Sequence, residues 1–233
     1  AIPPHPDAAA LTRGGTLIKA AALGRRTGIL DLTEGEMGTR GTIADRRREA
    51  AAAARILGVA HRENLGLPDA HLELRMDYKL ALARRIRALR PRTVILPYWE
   101  GRHPDHYTGA KLGYEACFLA GLKQLDIEGE AFRPFKILYA TSYDFTVRPS
   151  FVVDISKEYA RRMRAIMAYA TQFRPRTRDR KSKVHLPLDR LVHRVNSTAR
   201  FYGEMVGVEY AEPFVTKEVM QVEDVTALPV RSV

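Results

Sequence analysis

The 233-residue chain has one cysteine, one tryptophan and no run of 18 apolar residues. Each scarcity excludes something. Cys117 has no second cysteine to pair with, so an internal disulfide is ruled out and stability must come from a packed core. That usage fits a reducing cytoplasm, where the protein is expected to reside. Without a long apolar run there is no transmembrane helix, and no membrane partner is expected. No signal peptide is apparent. The chain opens on Ala1-Ile2-Pro3-Pro4 without a methionine, so the first strand is expected to be truncated. Internal repeats are absent, and nothing marks a linker between two cores. A single domain over residues 1–233 is the expectation, and 45% hydrophobic residues suffice to fill it.

Acidic residues are also in deficit. Against 38 Lys and Arg stand 27 Asp and Glu, a formal charge of +11. The excess is partly local, in Arg46-Arg47-Arg48, in Arg84-Arg85-Ile86-Arg87 and between Arg174 and Lys183. The first two fall on predicted helices, where a solvated charged face is the ordinary outcome. With no nucleic-acid motif and no aromatic platform, no nucleic-acid partner is expected.

What is present is an alternation of short apolar strands and amphipathic helices. Ile2 to Pro4 reads as the end of a strand. Gly14 and Gly15 open a helix through Leu23, and Gly28 to Leu32 is the next strand. The loop from Thr33 to Thr42, with Gly35, Gly38 and Gly41, suits the rim of a site. Asp45 is positioned to cap a helix through Leu57, and Glu63 to Asp69 reads as a short strand and turn. A helix from Glu73 to Leu89 carries Leu74, Tyr78, Leu82 and Ile86 on one stripe. Thr93 to Leu96 is a strand, followed by a helix from His106 to Leu122. Phe135–Ala140 and Phe151–Ile155 read as strands, and Tyr159 to Ala170 as a helical face. Gln172 to His185 lacks apolar periodicity and reads as a mobile loop. Pro187–Val206 is a last amphipathic helix, and the tail has no clear element. The expected fold class is α/β, a mostly parallel Rossmann-like sheet with helices on both faces.

Chemistry concentrates at strand ends, where open α/β sheets place their ligands. Gly101-Arg102-His103-Pro104-Asp105-His106 follows an apolar strand, and His5-Pro6-Asp7 stands in a similar context. Imidazole is the commonest neutral metal ligand and also titrates near neutrality, so two such turns can face each other across one cleft. Read as residues alone, each turn is equally compatible with a polar helix cap.

Taken together, a series of segments resembles the LmbE-like (PIG-L-type) family of zinc-dependent N-acetylglucosaminyl deacetylases. The series comprises His5-Pro6-Asp7 with Gly14-Gly15-Thr16, Asp31 to Glu36, Arg46 with Glu49-Ala50, Asn64 to Asp69, Arg102 to His106, Phe151 to Ser156 and Gly207 to Phe214. The nearest branch by resemblance deacetylates N-acetylglucosaminyl-malate in bacillithiol synthesis. The resemblance implies hydrolysis of the acetamide of a small amino-sugar conjugate. It implies His5 and His106 as ligands of Zn2+ or another divalent metal, and Asp7 as general base. It also implies His103 as oxyanion stabiliser tuned by Asp105, and Arg46 as a substrate contact. Glu36 and Trp99 are candidate substrate-binding residues, Glu36 on the rim and Trp99 stacking on a sugar ring or packing beneath the loop. The C-terminal third is expected to fold over the cleft, and a homo-oligomer, possibly a hexamer, follows from the same resemblance.

One departure stands out. The family's third metal ligand falls on Ala8, and a further acidic position falls on Ala10; a methyl group cannot ligate a metal. Three readings are open: an engineered or inactivated variant, a non-enzymatic sugar-binding or assembly protein on the same fold, or recruitment of Asp7 to the metal.

Overall fold

The computed structural model describes residues 1–141, 146–173 and 187–230. Helix α1 spans Ala8–Ala22, β1 Gly28–Thr33, α2 Ile43–Leu57, β2 His61–Leu67 and α3 Met76–Leu89. Then follow β3 Thr93–Pro97, α4 Pro104–Ala120, β4 Lys136–Ala140 and β5 Phe151–Asp154. Three helices, α5 Tyr159–Met167, α6 Ala170–Phe173 and α7 Leu188–Glu204, precede β6 Ala211–Val215. A 3-10 turn at Val225–Ala227 is the one regular element described in the tail.

Strand β1 pairs in parallel with β2, and β3 in parallel with β4. Residues 1–4 lie between the two pairs. Leu30 and Leu32 donate to the carbonyls of Ala1 and Pro3, and Ile2 donates to Ile95 O at 2.9 Å. Pro3 and Pro4 have no N–H to give, so this segment joins the sheet mostly as an acceptor. The mostly parallel expectation holds for this half of the sheet. Beyond β4 the sheet turns antiparallel: β6 lies between β4 and β5 and runs against both.

Alternation along β1 explains the two-sided core. Leu30 and Leu32 face a cluster with Leu82 and Ile86 of α3 and Leu112 of α4. Ile29 faces the other side, among Leu17 and Ile18 of α1, Leu57 of α2 and Ile166 of α5. That is the period-two pattern of a strand covered on both faces.

Several boundaries differ from the sequence reading, for local reasons. Helix α2 is capped by Thr42: its hydroxyl accepts from Asp45 N at 3.1 Å while Asp45 Oδ2 accepts from Thr42 N at 2.9 Å, a capping box. Asp45 therefore sits inside the first turn. Strand β6 escapes the sequence pattern because Glu212 and Pro213 interrupt its apolar run, and Pro213 accepts but cannot donate. Gln172 and Phe173 belong to α6; the rest of the expected loop, including Arg174 to Lys183 and His185, lies outside the described residues.

Helix α1 begins six residues earlier than expected and is broken at Arg13 (φ −149°, ψ 17°). A buried ion pair spans the break. Glu212, 0% exposed, accepts from Gly15 N at 2.8 Å and from Thr16 N at 2.7 Å. These are amides that open the second segment, where an anion is favoured. Arg162 of α5 bonds Glu212 at 3.0 Å and donates to the carbonyls of Ala10 and Leu11 at the end of the first segment. Two amides and two carbonyls released by the break are thereby satisfied. The tight fit needs glycine: a Cβ on Gly15 would come within 2.7 Å of Ile155. Replacing Glu212 by Ala is expected to cost about 3–5 kcal/mol, because it strands Arg162 as a buried charge. Urea unfolding measures this, and a loss under about 1 kcal/mol would mean that the pair is not what holds the break.

Candidate active site

The His5-Pro6-Asp7 turn is held from behind. Pro6 O accepts from Tyr169 OH and from Arg62 Nη2, each at 2.6 Å. Asp31 in turn grips Arg62 through two bonds of 2.9 and 3.1 Å. Burial raises the Asp31 carboxyl above its ordinary pKa, and Arg62 opposes that rise. Asp7 is the N-cap residue of α1, yet its side chain makes no capping bond; it lines the cavity instead.

The second turn is built by the start of α4. His103 is the N-cap residue, its Nδ1 accepting from Asp105 N at 3.3 Å, and Pro104 supplies the first helical position. With Nδ1 used as an acceptor, the proton of a neutral ring resides on Nε2. Asp105, 1% exposed, does not turn to His103. Its carboxylate receives Ala70 N at 2.9 Å and lies 3.1 Å from His5 Nε2. Asp105 thus acts most directly on His5, and it also raises the pKa of His103 from a distance. Burial and the neighbouring His5 lower the His103 pKa, so a cationic His103 is not what the fold sets up.

The two turns meet. The His5 ring centroid is 4.8 Å from that of His103 and 5.4 Å from that of His106. Asp69, at the end of the β2 turn, approaches His5 Nε2 at 3.0 Å. It is held by Met37 N at 2.9 Å, and its own amide donates to Glu36 at 2.7 Å. The next residue, Ala70, takes a left-handed conformation (φ 62°), which aims its amide at Asp105. Burial disfavours charge on His5, but Asp105 and Asp69 outweigh it and push its pKa up to about 9. Burial also resists ionisation of Asp69, yet the His5 contact holds its carboxyl well below the usual range. His106 goes the other way: burial, His5, His103 and Arg13 keep its imidazole neutral.

These groups open onto a cavity of about 710 Å³, within the range of small-molecule sites. Arg46 of α2 lines it, its Nη2 donating to Gln172 Oε1 at 2.7 Å. Arg13, Arg102, Arg194, Tyr98 and Thr141 also line it, none of them singled out from the sequence as site residues. Two candidates, Glu36 and Trp99, are not among the residues that line the cavity. Glu36 braces the Asp69 amide. Trp99 packs edge-on against Tyr139 at 4.7 Å, under Lys217. Of the remaining histidines described, His61 pairs with Glu63, His71 bonds Asp69 O, and His193 is exposed on α7.

His5, His103 and Asp105 each offer a ligand atom within 4.8 Å of one another. Two imidazoles and a carboxylate are a donor set suited to a divalent transition metal, so the residues present fit such an ion. Ala8, 2% exposed, brings only a methyl to the cavity wall; the carboxylate in this set is that of Asp105.

In the metal-free protein, a His5 raised from 6.5 to about 9 contributes stability that is complete below pH 6.5 and fades as the pH rises through about 9. Urea unfolding across that range should show the decline in the wild type, and a flatter curve for His5→Gln. Parallel curves for the two proteins would refute the pairing.

Comparison with known proteins places this geometry. The family model for PIG-L, GlcNAc-PI de-N-acetylase, matches residues 1–117. Diacetylchitobiose deacetylase of Thermococcus kodakarensis is 32% identical over 224 residues, covering 91% of this chain and 79% of the relative. Among solved structures, the conserved protein TT1542 of Thermus thermophilus superposes with a TM-score of 0.85 at 40% identity, covering 95% of this chain and 96% of that one. N,N'-diacetylchitobiose deacetylase of Pyrococcus horikoshii, in complex with an inhibitor, gives a TM-score of 0.78 at 28% identity over 91% of this chain and 80% of its own. Two of these three relatives are diacetylchitobiose deacetylases, and neither of the two is a bacillithiol-pathway enzyme. With its fold, its paired histidine turns and its sequence in agreement, the chain belongs to the PIG-L de-N-acetylase family.

Proposed function

We propose that this protein is an amide hydrolase that removes the acetyl group from a small N-acetylglucosaminide. The observation that carries the reading is the convergence of His5, Asp7, His103 and His106 on one cavity of ligand size. A divalent metal, zinc by its donor preferences, would be held by His5, Asp105 and one of the neighbouring imidazoles. The family resemblance assigns that position to His106, which leaves His103 to face the substrate. When bound, such an ion polarises an amide carbonyl and lowers the pKa of a water.

The chain's own groups supply the rest. Asp7 is the base that takes the proton from the attacking water. His103, neutral with its proton on Nε2, donates to the developing oxyanion. Arg46 anchors the substrate from the α2 side. Arg13, Arg46, Arg102 and Arg194 face Asp7, Asp69 and Glu100 across the cavity. That balance favours an anionic conjugate, of which N-acetylglucosaminyl-malate is one, over a neutral sugar such as N,N'-diacetylchitobiose.

Ala8 motivates a second reading, a sugar-binding protein without turnover. Acetate release from both substrates, assayed with added Zn2+, separates the two; calorimetric binding with no release would favour the second. Asp7→Asn is expected to lower the rate by about 10²-fold or more with little change in substrate affinity, the loss typical of a general base. Ala8→Asp should raise both the bound metal per chain, measured by elemental analysis, and the rate. If Asp7→Asn keeps wild-type activity, Asp7 is not the base.

A further inference from the structure

Arg46 and Glu49 stand three residues apart on α2, a spacing at which an arginine and a glutamate commonly pair. Here they do not. Both oxygens of the buried Glu49 carboxylate are engaged by Thr171 of α6: Oε1 accepts from Thr171 N at 2.6 Å and Oε2 from Thr171 Oγ1 at 2.9 Å. Arg46 turns instead to the next residue of α6, its Nη2 donating to Gln172 Oε1 at 2.7 Å. Among the described residues no carboxylate pairs with Arg46. The Gln172 amide is itself fixed. Its Nε2 donates to Arg40 O at 2.6 Å, and its backbone carbonyl accepts from Arg40 Nη1 at 3.1 Å. The rim loop also closes on the guanidinium. Gly38 N donates to Gly35 O at 3.0 Å, and Gly35 takes a left-handed conformation (φ 70°). A Cβ on Gly35 would come within 2.7 Å of Arg46 Nη1, and one on Gly38 would collide with Nη2.

A guanidinium that lines a ligand-sized cavity and is held by a neutral amide keeps its charge for an incoming anion. We propose that Thr171 and Gln172 are positioning residues that set the charge preference of this cavity. Thr171 keeps Glu49 from pairing with Arg46, and Gln172 orients the guanidinium without neutralising it. The inference deepens the hydrolase reading and rests on it for the identity of the ligand, an acidic amino-sugar conjugate. A carboxylate at position 172 would pair with Arg46 and cancel the charge that the ligand's acid group meets. A methionine there would remove the bond and leave the charge.

The test compares Gln172→Glu with Gln172→Met, which both lose the donor to Arg40 O and differ in the charge set beside Arg46. Titration calorimetry on the full chain, stripped of metal with EDTA, reads the binding of N-acetylglucosaminyl-malate and of neutral N,N'-diacetylchitobiose. Gln172→Glu should weaken binding of the acidic conjugate at least ~10-fold and Gln172→Met by only ~3-fold, with the neutral sugar affected alike by both. With added Zn2+, KM for the acidic conjugate should rise in parallel while kcat stays within ~3-fold. A purely structural role would weaken both ligands to the same extent. Circular dichroism checks folding. If Gln172→Glu does not fold, Thr171→Val decides: by releasing Glu49 Oε2 toward Arg46 it should weaken the acidic conjugate alone, by ~3-fold. The proposal is overturned if the wild type does not bind the acidic conjugate, or if the deciding variant binds it as the wild type does. It is also overturned if Gln172→Glu and Gln172→Met weaken that binding equally. Charge-selective binding without acetate release would remove the hydrolase reading and leave the positioning role standing; acetate release with no difference among the variants would do the reverse.

Discussion

The site depends on a broken helix held together by one buried ion pair. A continuous α1 would satisfy its own backbone, and its break releases amides and carbonyls that water cannot reach. Glu212 takes the amides of Gly15 and Thr16, Arg162 takes the carbonyls of Ala10 and Leu11, and the two charges neutralise each other. Each charge is therefore placed against the helix end whose partial charge it complements. The pair ties α1 to α5 and to β6, elements distant in sequence. It also explains why β6 carries a glutamate in the middle of a sheet.

The consequences run toward the cavity. The first segment of α1 presents Asp7 and Ala8, and the break delivers Arg13 to the same wall. Behind it, the bonds from Arg62 and Tyr169 fix the Pro6 carbonyl, and with it the angle between His5 and Asp7. Across the cleft, the cap of α4 performs the same service for His103, Asp105 and His106. Side chains held on helix starts and braced from behind need little reorganisation when a ligand arrives. The electrostatics divide the three histidines: His5 is charged between two carboxylates, and His103 and His106 are driven neutral.

Much of this was legible along the chain. The β-α alternation, the glycine-rich rim and both His-Pro-Asp turns depend on local pattern, and the structure places them where an α/β sheet keeps its ligands. The family series included Arg46 and the Asn64–Asp69 segment, and of these Arg46 and Asp69 line the cavity. Other features were hidden because their cause is non-local. Asp105 reads as the natural partner of His103, two residues away, but the helix cap turns its side chain toward His5, a hundred positions distant. Glu36 reads as a rim contact, and its Oε1 is also the acceptor that braces the Asp69 amide. Trp99 has the right address for a sugar platform, and Tyr139 and Lys217 cover it.

By itself the sequence determined which elements form, which residue types stand at the strand ends and that position 8 holds only a methyl. Those properties follow from side-chain period, capping chemistry and covalent identity, all of them local. The tertiary structure alone decided that α1 breaks, that Arg13 enters the cavity, that Thr141 closes its wall and that Asp69 and Asp105 converge on His5. The physical reason is that a buried polar group must find a partner wherever the fold brings one, and that search ignores distance along the chain. His5 shows both halves: its place in a His-Pro-Asp turn is written in three letters, and its charge is set by carboxylates 64 and 100 residues away.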